Sequence, residues 1–457
     1  MSVEADARGL SLVETVAALE DAAARALDLA RRAGADAARI EITRAQSSLA
    51  MVRDRVPSEK SVRAGSDISI TVYSEGRRAA TSLTDLSSAA LKNAIDAALD
   101  FAVVTAADAA GGLASEAQWA QDPGVDLDLY HPLDLHPDDM MAWAQRAEDA
   151  AFASDPRVAT SNGASYATMS GVTLLATSNG FCRAAPWSTH SITCAPVAAT
   201  DGEKQLGYWG EVARAADNLE APESVGERAA ARACGRLGGR QIPTQRSAIL
   251  FEPAAAVSLL GEFVAAASGE ALYRSASFLG KRLDTPLFGG HIRIGEDPFV
   301  ARGMASRYYD ADGVGGSRRL VVEDGVLRGF FLGLYAARRL GMTPTGNGFG
   351  PHNLDVRSTR TMPGDDFATM LAKLDRGLLV TEMAGGGVNR LTGDFSRAAK
   401  GFWVENGEIQ FPVTGVTVAS NLDAMFAGLQ AVGNDARTFG GMRTGSWLID
   451  AMQIGGT

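Results

Sequence analysis

The chain has 457 residues, of which 46% are hydrophobic and 21% are charged, as is ordinary for a folded globular protein. This composition excludes disorder as the main state, and it excludes collagen-like and coiled-coil architectures. The 43 Lys and Arg against 54 Asp and Glu give a formal net charge of −11, which argues against a broad basic face for nucleic acid.

Cysteine usage and the absence of long apolar runs indicate the cellular compartment in which the protein resides. The three cysteines, Cys182, Cys194 and Cys234, are too few for a disulfide framework and include no CxxC pair. The amino terminus has no basic segment followed by an apolar core, and no run of about 18 apolar residues occurs. We therefore expect a cytoplasmic protein without a signal peptide, a transmembrane helix or a membrane partner.

Residues 1–110 are predicted to form a helix, a small antiparallel sheet and a second helix. Apolar residues recur at three- and four-residue spacing over Val13–Ala33, which indicates the first helix. Alternating segments at Asp67–Tyr73 and Arg78–Ser82 flank a Glu75-Gly76 turn, as in a β-hairpin.

Residues 111–240 are predicted to be a connector followed by a mixed region. The segment Ala106–Pro137 is rich in Ala, Gly, Asp and Pro and lacks a clear period. A helix over Asp138–Ala153, strands at Val158–Tyr166 and Val172–Thr177, and a helix over Glu223–Leu237 follow.

The remaining part, residues 241–457, combines many short strand-like segments with glycine turns such as Glu323-Asp324-Gly325 and Glu405-Asn406-Gly407. This pattern predicts a curved antiparallel sheet or barrel, in which glycine allows sharp bends or the close approach of another backbone. The fold class predicted is therefore α+β, with an N-terminal α/β region of small antiparallel sheets and helices and a C-terminal antiparallel β-barrel-like domain.

Common catalytic motifs are missing from the sequence. The five histidines show no HExxH spacing, and we find no GxSxG elbow, no Walker motif and no GxGxxG between a strand and a helix. His352 follows a glycine-rich loop and is a candidate for a pocket.

The strongest candidate binding segment follows a predicted buried strand over Gly377–Met383. Gly385-Gly386-Gly387 leave backbone groups accessible, and Asp394 and Ser396 come shortly after. Such a rim can pair with an extended peptide as an added strand. A tight turn inside the barrel is the alternative, which we favour slightly for any single glycine.

A resemblance to the TldD/PmbA family, and most to its PmbA (TldE) branch, rests on the segments FEPAAAVSLLGEFVAAASGEALYRSASFLGKRLDTPL and TEMAGGGVNRLTGDFSRAAKGFWVENGEIQFPVTGVTVASNL. It implies an α/β amino-terminal region and a barrel-like carboxyl-terminal region. It also implies a two-part peptidase for peptides and unfolded segments. In the family, a TldD-type subunit carries zinc on a helical HExxxH motif with a further cysteine, and a PmbA-type subunit pairs with it.

The zinc motif is degenerate in this chain. Alignment puts Gly261 and Ala266 where the histidines would stand and leaves Glu262 as the match, and no cysteine follows Cys234. Glycine and alanine supply no ligand atom, so we expect no zinc and no other cofactor here, with zinc only on a TldD-type partner. Glu262 then has an ordinary interpretation as a solvent-facing or salt-bridged helix carboxylate.

Three functions stay open at this point. The first is a zinc-free PmbA/TldE-type subunit of a heteromeric metalloprotease, with a TldD-type chain as its partner. The second is a homodimeric peptide- or protein-binding regulator of the DNA-gyrase-modulator type, without proteolytic activity. The third is an independent hydrolase that uses Asp394, Ser396 or His352, although their spacing assembles no triad.

Overall fold

A computed structural model describes residues 11–133 and 135–456. Residues 1–10, on which part of the signal-peptide prediction falls, lie outside the described residues. The helices α1–α9 are Leu12–Arg32, Ser88–Val104, Pro137–Ser154, Pro222–Cys234, Pro253–Ala266, Gly269–Tyr273, Leu334–Leu340, Phe367–Leu374 and Leu422–Ala427. None of these described helices is long and apolar enough to cross a bilayer.

The strands β1–β7 form the first sheet, and β8–β20 belong to the carboxyl-terminal part. Strands β1–β7 are Ala37–Arg53, Val56–Ser74, Arg77–Leu83, Val158–Thr177, Cys182–Thr200, Glu203–Leu206 and Trp209–Ala213. Strands β8–β20 are Gln245–Phe251, Ile292–Asp297, Arg319–Glu323, Val326–Leu327, Asn353–Ser358, Gly377–Ala384, Val388–Asn389, Asp394–Glu405, Glu408–Asn421, Leu429–Val432, Arg437–Phe439, Met442–Thr444 and Trp447–Gly455.

One antiparallel sheet joins the first and middle parts of the chain. Its order is β3-β2-β1-β4-β5-β6, and β7 also pairs with β5. The central strand β1 pairs with β2 on one side and with β4 on the other, from Arg39 to Val52. The two strands predicted within Val158–Thr177 are one continuous strand, because β4 keeps its pairing with β1 through the intervening residues.

Helices α1–α4 cover one face of this sheet. Along β1, Ile40 and Ile42 are buried in one cluster with residues of α1 and α2, while Ala50 and Val52 are buried in another with residues of α3 and α4. All four residues have even numbers. Because side chains along a strand alternate between the two faces of the sheet, both helix pairs lie on the same face. On the opposite face, Leu175 packs with Tyr309 of the carboxyl-terminal part.

The carboxyl-terminal part contains a second sheet and a closed barrel. The sheet has the order β11-β10-β9-β12-β19-β18. The barrel consists of β13, β8, β20, β16 and β15, and pairing of β13 with β15 closes it. The predicted α+β class and carboxyl-terminal barrel are confirmed, although the pair formed by β8 and β13 is parallel.

Barrel closure requires two backbones to come very close. Gly401 of β15 lies opposite Val380 of β13, and a Cβ atom at Gly401 would stand 1.8 Å from the carbonyl oxygen of Leu379. Any larger residue would push the two strands apart, so this glycine provides the close approach that the sequence suggested.

Helix α5 fills the core of the carboxyl-terminal part. Leu259, Leu260, Phe263 and Ala266 are all fully buried. The Phe263 ring makes edge-to-face contacts with three other rings, those of Phe288, Phe331 and Phe426. Aromatic contacts of this kind fix which face of the helix points inward.

A buried polar cluster around Glu296 connects β9, β10 and the start of β12. The carboxylate is 1% exposed and accepts from Nε of Arg319 at 2.7 Å, from Nδ2 of Asn347 at 2.7 Å and from the backbone N–H of His352 at 2.8 Å. Burial alone would raise the pKa of Glu296, but the His352 hydrogen bonds and the Arg319 charge lower it to about 2.

We expect Glu296 to make the fold sensitive to acid. Its pKa falls from 4.5 to about 2 on folding, so its contribution to stability is complete above the first value and is lost as the pH falls through the second. Urea unfolding at several pH values should therefore show that the free energy of unfolding falls more steeply with decreasing pH in the wild type than in Glu296→Gln. That variant should also be less stable by about 3–5 kcal/mol at neutral pH, because Arg319 loses its buried partner.

Glu323→Gln on β10 is the control, since its side chain is 46% exposed. It should keep the wild-type pH profile. Equal acid slopes for the wild type and Glu296→Gln would contradict the assignment.

Candidate functional site

The three positions of the degenerate zinc motif lie on α5 but face different surroundings. A Cβ atom at Gly261 would meet no heavy atom within 4 Å, whereas Ala266 is fully buried. Residues five apart on a regular helix point about 140° apart at ~3.6 residues per turn, so this divergence is expected. Glu262 is 12% exposed, its Oε2 accepts from Nε of Arg390 at 3.0 Å, and Nη2 of Arg390 forms an ion pair with the same oxygen at 3.0 Å.

Arg390 links this helix to the glycine-rich segment. It directly follows β14, and its carbonyl oxygen accepts from the backbone N–H of Phe278 at 2.9 Å. A groove of about 630 Å³ is lined by Ala265 and Ala271 on the helical side and by Val388–Leu391 on the strand side. We call it the α6–β14 groove. No local sequence spacing predicts the role of Arg390, because Glu262 and Arg390 are 128 residues apart.

The glycine-rich rim is exposed and borders this groove. Gly385, Gly386 and Gly387 connect β13 to β14, which pairs with β15 at Phe395 and Asp394. Among the described strands none pairs with the other side of β14, which stands at the end of its sheet. An unpaired strand edge can accept an additional strand through backbone hydrogen bonds.

Asp394 and Ser396 lie beside this rim, whereas His352 does not. The Asp394 carboxylate accepts from Oγ1 of Thr392 at 2.6 Å, and the Ser396 backbone N–H donates to the carbonyl oxygen of Gly387 at 2.8 Å. The Nδ1 atom of His352 lies 3.0 Å from the buried Glu296 carboxylate. The structure therefore brings together five of the six predicted peptide-binding residues, and it assembles no serine, histidine and aspartate triad from the three residues proposed.

The residues on α5 do not fit a zinc site. Zinc in proteins takes Cys, His, Asp or Glu ligands, and these positions offer one carboxylate that is already bonded to Arg390. Within residues 11–133 and 135–456, no group of three or more His, Cys, Asp or Glu is arranged to hold a metal ion.

A larger cleft of about 1340 Å³ opens between β7, α4 and the barrel, with Trp209 in its wall. Three guanidinium groups lie 4.8, 5.0 and 5.5 Å from the Trp209 ring, those of Arg228, Arg232 and Arg437. Each is paired with a carboxylate, Glu220 or Glu252. Because these charges are compensated and no predicted site residue lines the cleft, we take the α6–β14 groove and its rim as the candidate site.

The middle and carboxyl-terminal parts of the chain, which contain most of the first sheet and the closed barrel, both match domain models of one metallopeptidase family. Residues 130–237 match the model of the PmbA/TldA metallopeptidase central domain, and residues 244–456 match that of the C-terminal domain. The chain belongs to the PmbA/TldD metallopeptidase family, which confirms the resemblance seen in the sequence.

Relatives match along nearly the whole chain. The metalloprotease PmbA of Escherichia coli O157:H7 is 36% identical over 440 residues, which cover 96% of both chains. The PmbA homolog of Haemophilus influenzae has the same identity and coverage. A Bacteroides thetaiotaomicron structure, described as a candidate modulator of DNA gyrase, gives a TM-score of 0.90 at 26% identity and covers 96% of this chain and 99% of its own. TldE from Thermococcus kodakarensis shares the fold, with a TM-score of 0.83 at 19% identity over 95% of this chain and 100% of its own.

Two neighbouring glycines of the rim should respond differently to substitution. Gly387 has a φ of 153°, and a Cβ atom there would stand 1.9 Å from the carbonyl oxygen of Ser396, whereas a Cβ atom at Gly386 meets nothing within 4 Å. We expect Gly387→Ala to lower the free energy of unfolding by about 1–3 kcal/mol. Gly386→Ala should change it by less than about 0.5 kcal/mol. Urea unfolding measures both, and equal effects would contradict the described rim.

The two histidine positions of the motif should also differ. Ala266→His places an imidazole in a filled core, so we expect a loss of at least about 2 kcal/mol from overpacking and polar burial. Gly261→His faces open space and should be tolerated. Thermal unfolding with and without zinc measures both single variants and the double variant. A zinc-dependent rise in the Tm of the double variant would show that α5 can still form a metal site.

Proposed function

We propose that this chain is the zinc-free, PmbA/TldE-type subunit of a heteromeric metalloprotease whose TldD-type partner holds the zinc and supplies the hydrolytic chemistry. The observation that carries the proposal is the state of Glu262. This residue occupies the general-base position of the motif, yet one of its oxygens accepts a hydrogen bond from Nε of Arg390 and forms an ion pair with Nη2, and neither histidine position of the motif offers a ligand. The names of the PmbA relatives support a role in proteolysis.

The substrate of this assembly is proposed to be an extended peptide or an unfolded segment. Its backbone would pair with the outer edge of β14, where the rim glycines leave room for close approach. A depression of about 330 Å³ is lined by Gly387–Asn389 and Asp394–Ser396, next to that edge. Backbone pairing is independent of side-chain identity, which suits a protein that accepts many unfolded sequences.

A homodimeric regulator without proteolytic activity is the second candidate. It is favoured by the description of the Bacteroides thetaiotaomicron and Thermotoga maritima relatives as candidate modulators of DNA gyrase. The Thermotoga structure matches with a TM-score of 0.84 at 25% identity and covers 95% of this chain and 100% of its own.

Reconstitution distinguishes the two candidates. The purified chain should not degrade unfolded casein by itself, whereas mixing it with a TldD-type chain should give proteolysis that a chelator abolishes. Complete, chelator-resistant activity of the isolated chain would overturn the proposal. A homodimer that never exchanges subunits with the TldD-type chain in analytical ultracentrifugation would favour the regulator.

The role of the rim can be tested within the same assay. Gly386→Trp places a bulky side chain in open space at the proposed peptide edge, and we expect it to reduce proteolysis at least about 10-fold, or about 1.4 kcal/mol of binding. Gly364→Trp is the matched control, because Gly364 is also exposed with open space around its Cβ position but lies in the loop before α8. Equal activity of the two variants would exclude peptide pairing at this rim.

A further inference from the structure

A separate pocket of about 370 Å³ lies between the loop that joins β9 to β10 and the face of the first sheet opposite helices α1–α4. Glu41, Thr173 and Trp187 line it from the sheet, and Arg214 and Arg307 line it from the loops after β7 and β9. Pockets that bind small molecules commonly have a volume of about 300–1,000 Å³. This pocket shares no lining residue with the α6–β14 groove.

The two guanidinium groups of the pocket donate to backbone carbonyls instead of pairing with carboxylates. Arg214 donates to the carbonyl oxygens of Ser188 and Met304, at 3.2 and 2.8 Å, and its buried Nε has no hydrogen-bond partner. Arg307 donates to two backbone carbonyl oxygens, at 3.3 and 2.7 Å. Within the described part of the chain, neither group forms an ion pair, which contrasts with the paired arginines around Trp209.

The two carboxylates in the lining, Glu41 and Asp310, form no ion pair with Arg214 or Arg307 among the described residues, although Asp310 attracts the charge of Arg307 at longer range. Asp310 accepts from the backbone N–H groups of Asp312, Val314 and Gly348, at 2.9, 3.0 and 2.8 Å, so its two oxygens are already bonded to backbone donors. Glu41 forms no ion pair with a cation among the described residues. Burial lowers the pKa of both Arg214 and Arg307, and for Arg307 it outweighs the opposite effect of Asp310 and Glu296, so an added anion would stabilise their charged forms.

Aromatic side chains form the walls, and hydrogen bonds fix their positions. Nε1 of Trp187 donates to Oγ1 of Thr173 at 3.1 Å, and the Tyr309 hydroxyl donates to the carbonyl oxygen of Arg183 at 2.8 Å. At the rim, the Phe349 ring is 54% exposed and lies 5.6 Å from the Arg307 guanidinium carbon. Fixed apolar walls lower the entropy cost of binding a ligand.

We propose that this pocket binds a small molecule with one carboxylate on an apolar body of aromatic size, and that Arg214 and Arg307 receive the carboxylate. Guanidinium groups match carboxylate geometry, and the resulting hydrogen bonds are strong in a partly buried site. Glu41 disfavours a second negative charge and leaves room for an ammonium group. The ligand is therefore either a simple organic acid or the free carboxyl end of an amino acid or short peptide. This site goes beyond the peptidase role and does not depend on it.

Isothermal titration calorimetry on the full chain tests the proposal with defined probes. Phenylacetate should bind with a Kd below about 1 mM, while phenylacetamide, its neutral analogue, should bind at least about 10-fold more weakly. Arg307→Gln should weaken phenylacetate binding at least about 10-fold. Arg318→Gln is the matched control on the same loop, because its side chain is 63% exposed, and it should leave binding unchanged.

L-phenylalanine distinguishes the two sources of the carboxylate. Tighter binding than phenylacetate identifies an amino acid or a peptide end, and weaker binding identifies a simple acid. If Arg307→Gln does not fold, as judged by circular dichroism, Phe349→Ser removes an exposed wall instead and should weaken binding about 3–10-fold. Equal binding of phenylacetate and phenylacetamide, or no binding of phenylacetate at about 10 mM, would overturn the proposal.

Discussion

The burial of one face of α5 controls the geometry of the candidate site. Phe263 holds that face against three other aromatic rings, and Ala266 is enclosed with it. A helix buried on one side must direct its remaining residues outward, and Glu262 accordingly reaches Arg390 at the edge of the barrel. On the regular helix that this packing supports, positions 261 and 266 point about 140° apart, one toward open space and the other into the core.

Local patterns predicted the class of the fold and several of its elements. The first helix, the hairpin around Glu75-Gly76 and the carboxyl-terminal barrel follow from periodicity and turn residues, which act over a few positions. The continuity of β4 was not predicted, because it depends on pairing with the distant strand β1. The placement of His352 was missed for the same reason: its partner Glu296 is 56 residues away and buried.

The candidate site was predicted in part. The rim glycines, Asp394 and Ser396 are close in sequence, so their proximity in the structure needed little long-range information. Arg390 lies in the same segment but gained its role only through contact with α5. A sequence shows which side chains are charged, but the pairing of those charges is a property of the fold. The arginines at Trp209 and those at Trp187 look alike in sequence, and the structure distinguishes them because only those at Trp209 form ion pairs with carboxylates among the described residues.

The central position of β1 has a practical consequence for cutting this protein into pieces. The two regions that match family models begin at residue 130 and therefore omit β1, although β1 covers one side of β4 from Ala164 to Thr177. A recombinant fragment that starts there would present a long, uncapped row of backbone donors and acceptors. Such rows recruit other chains, so the fragment would aggregate, and useful truncations must retain the amino-terminal hundred residues with the middle of the molecule.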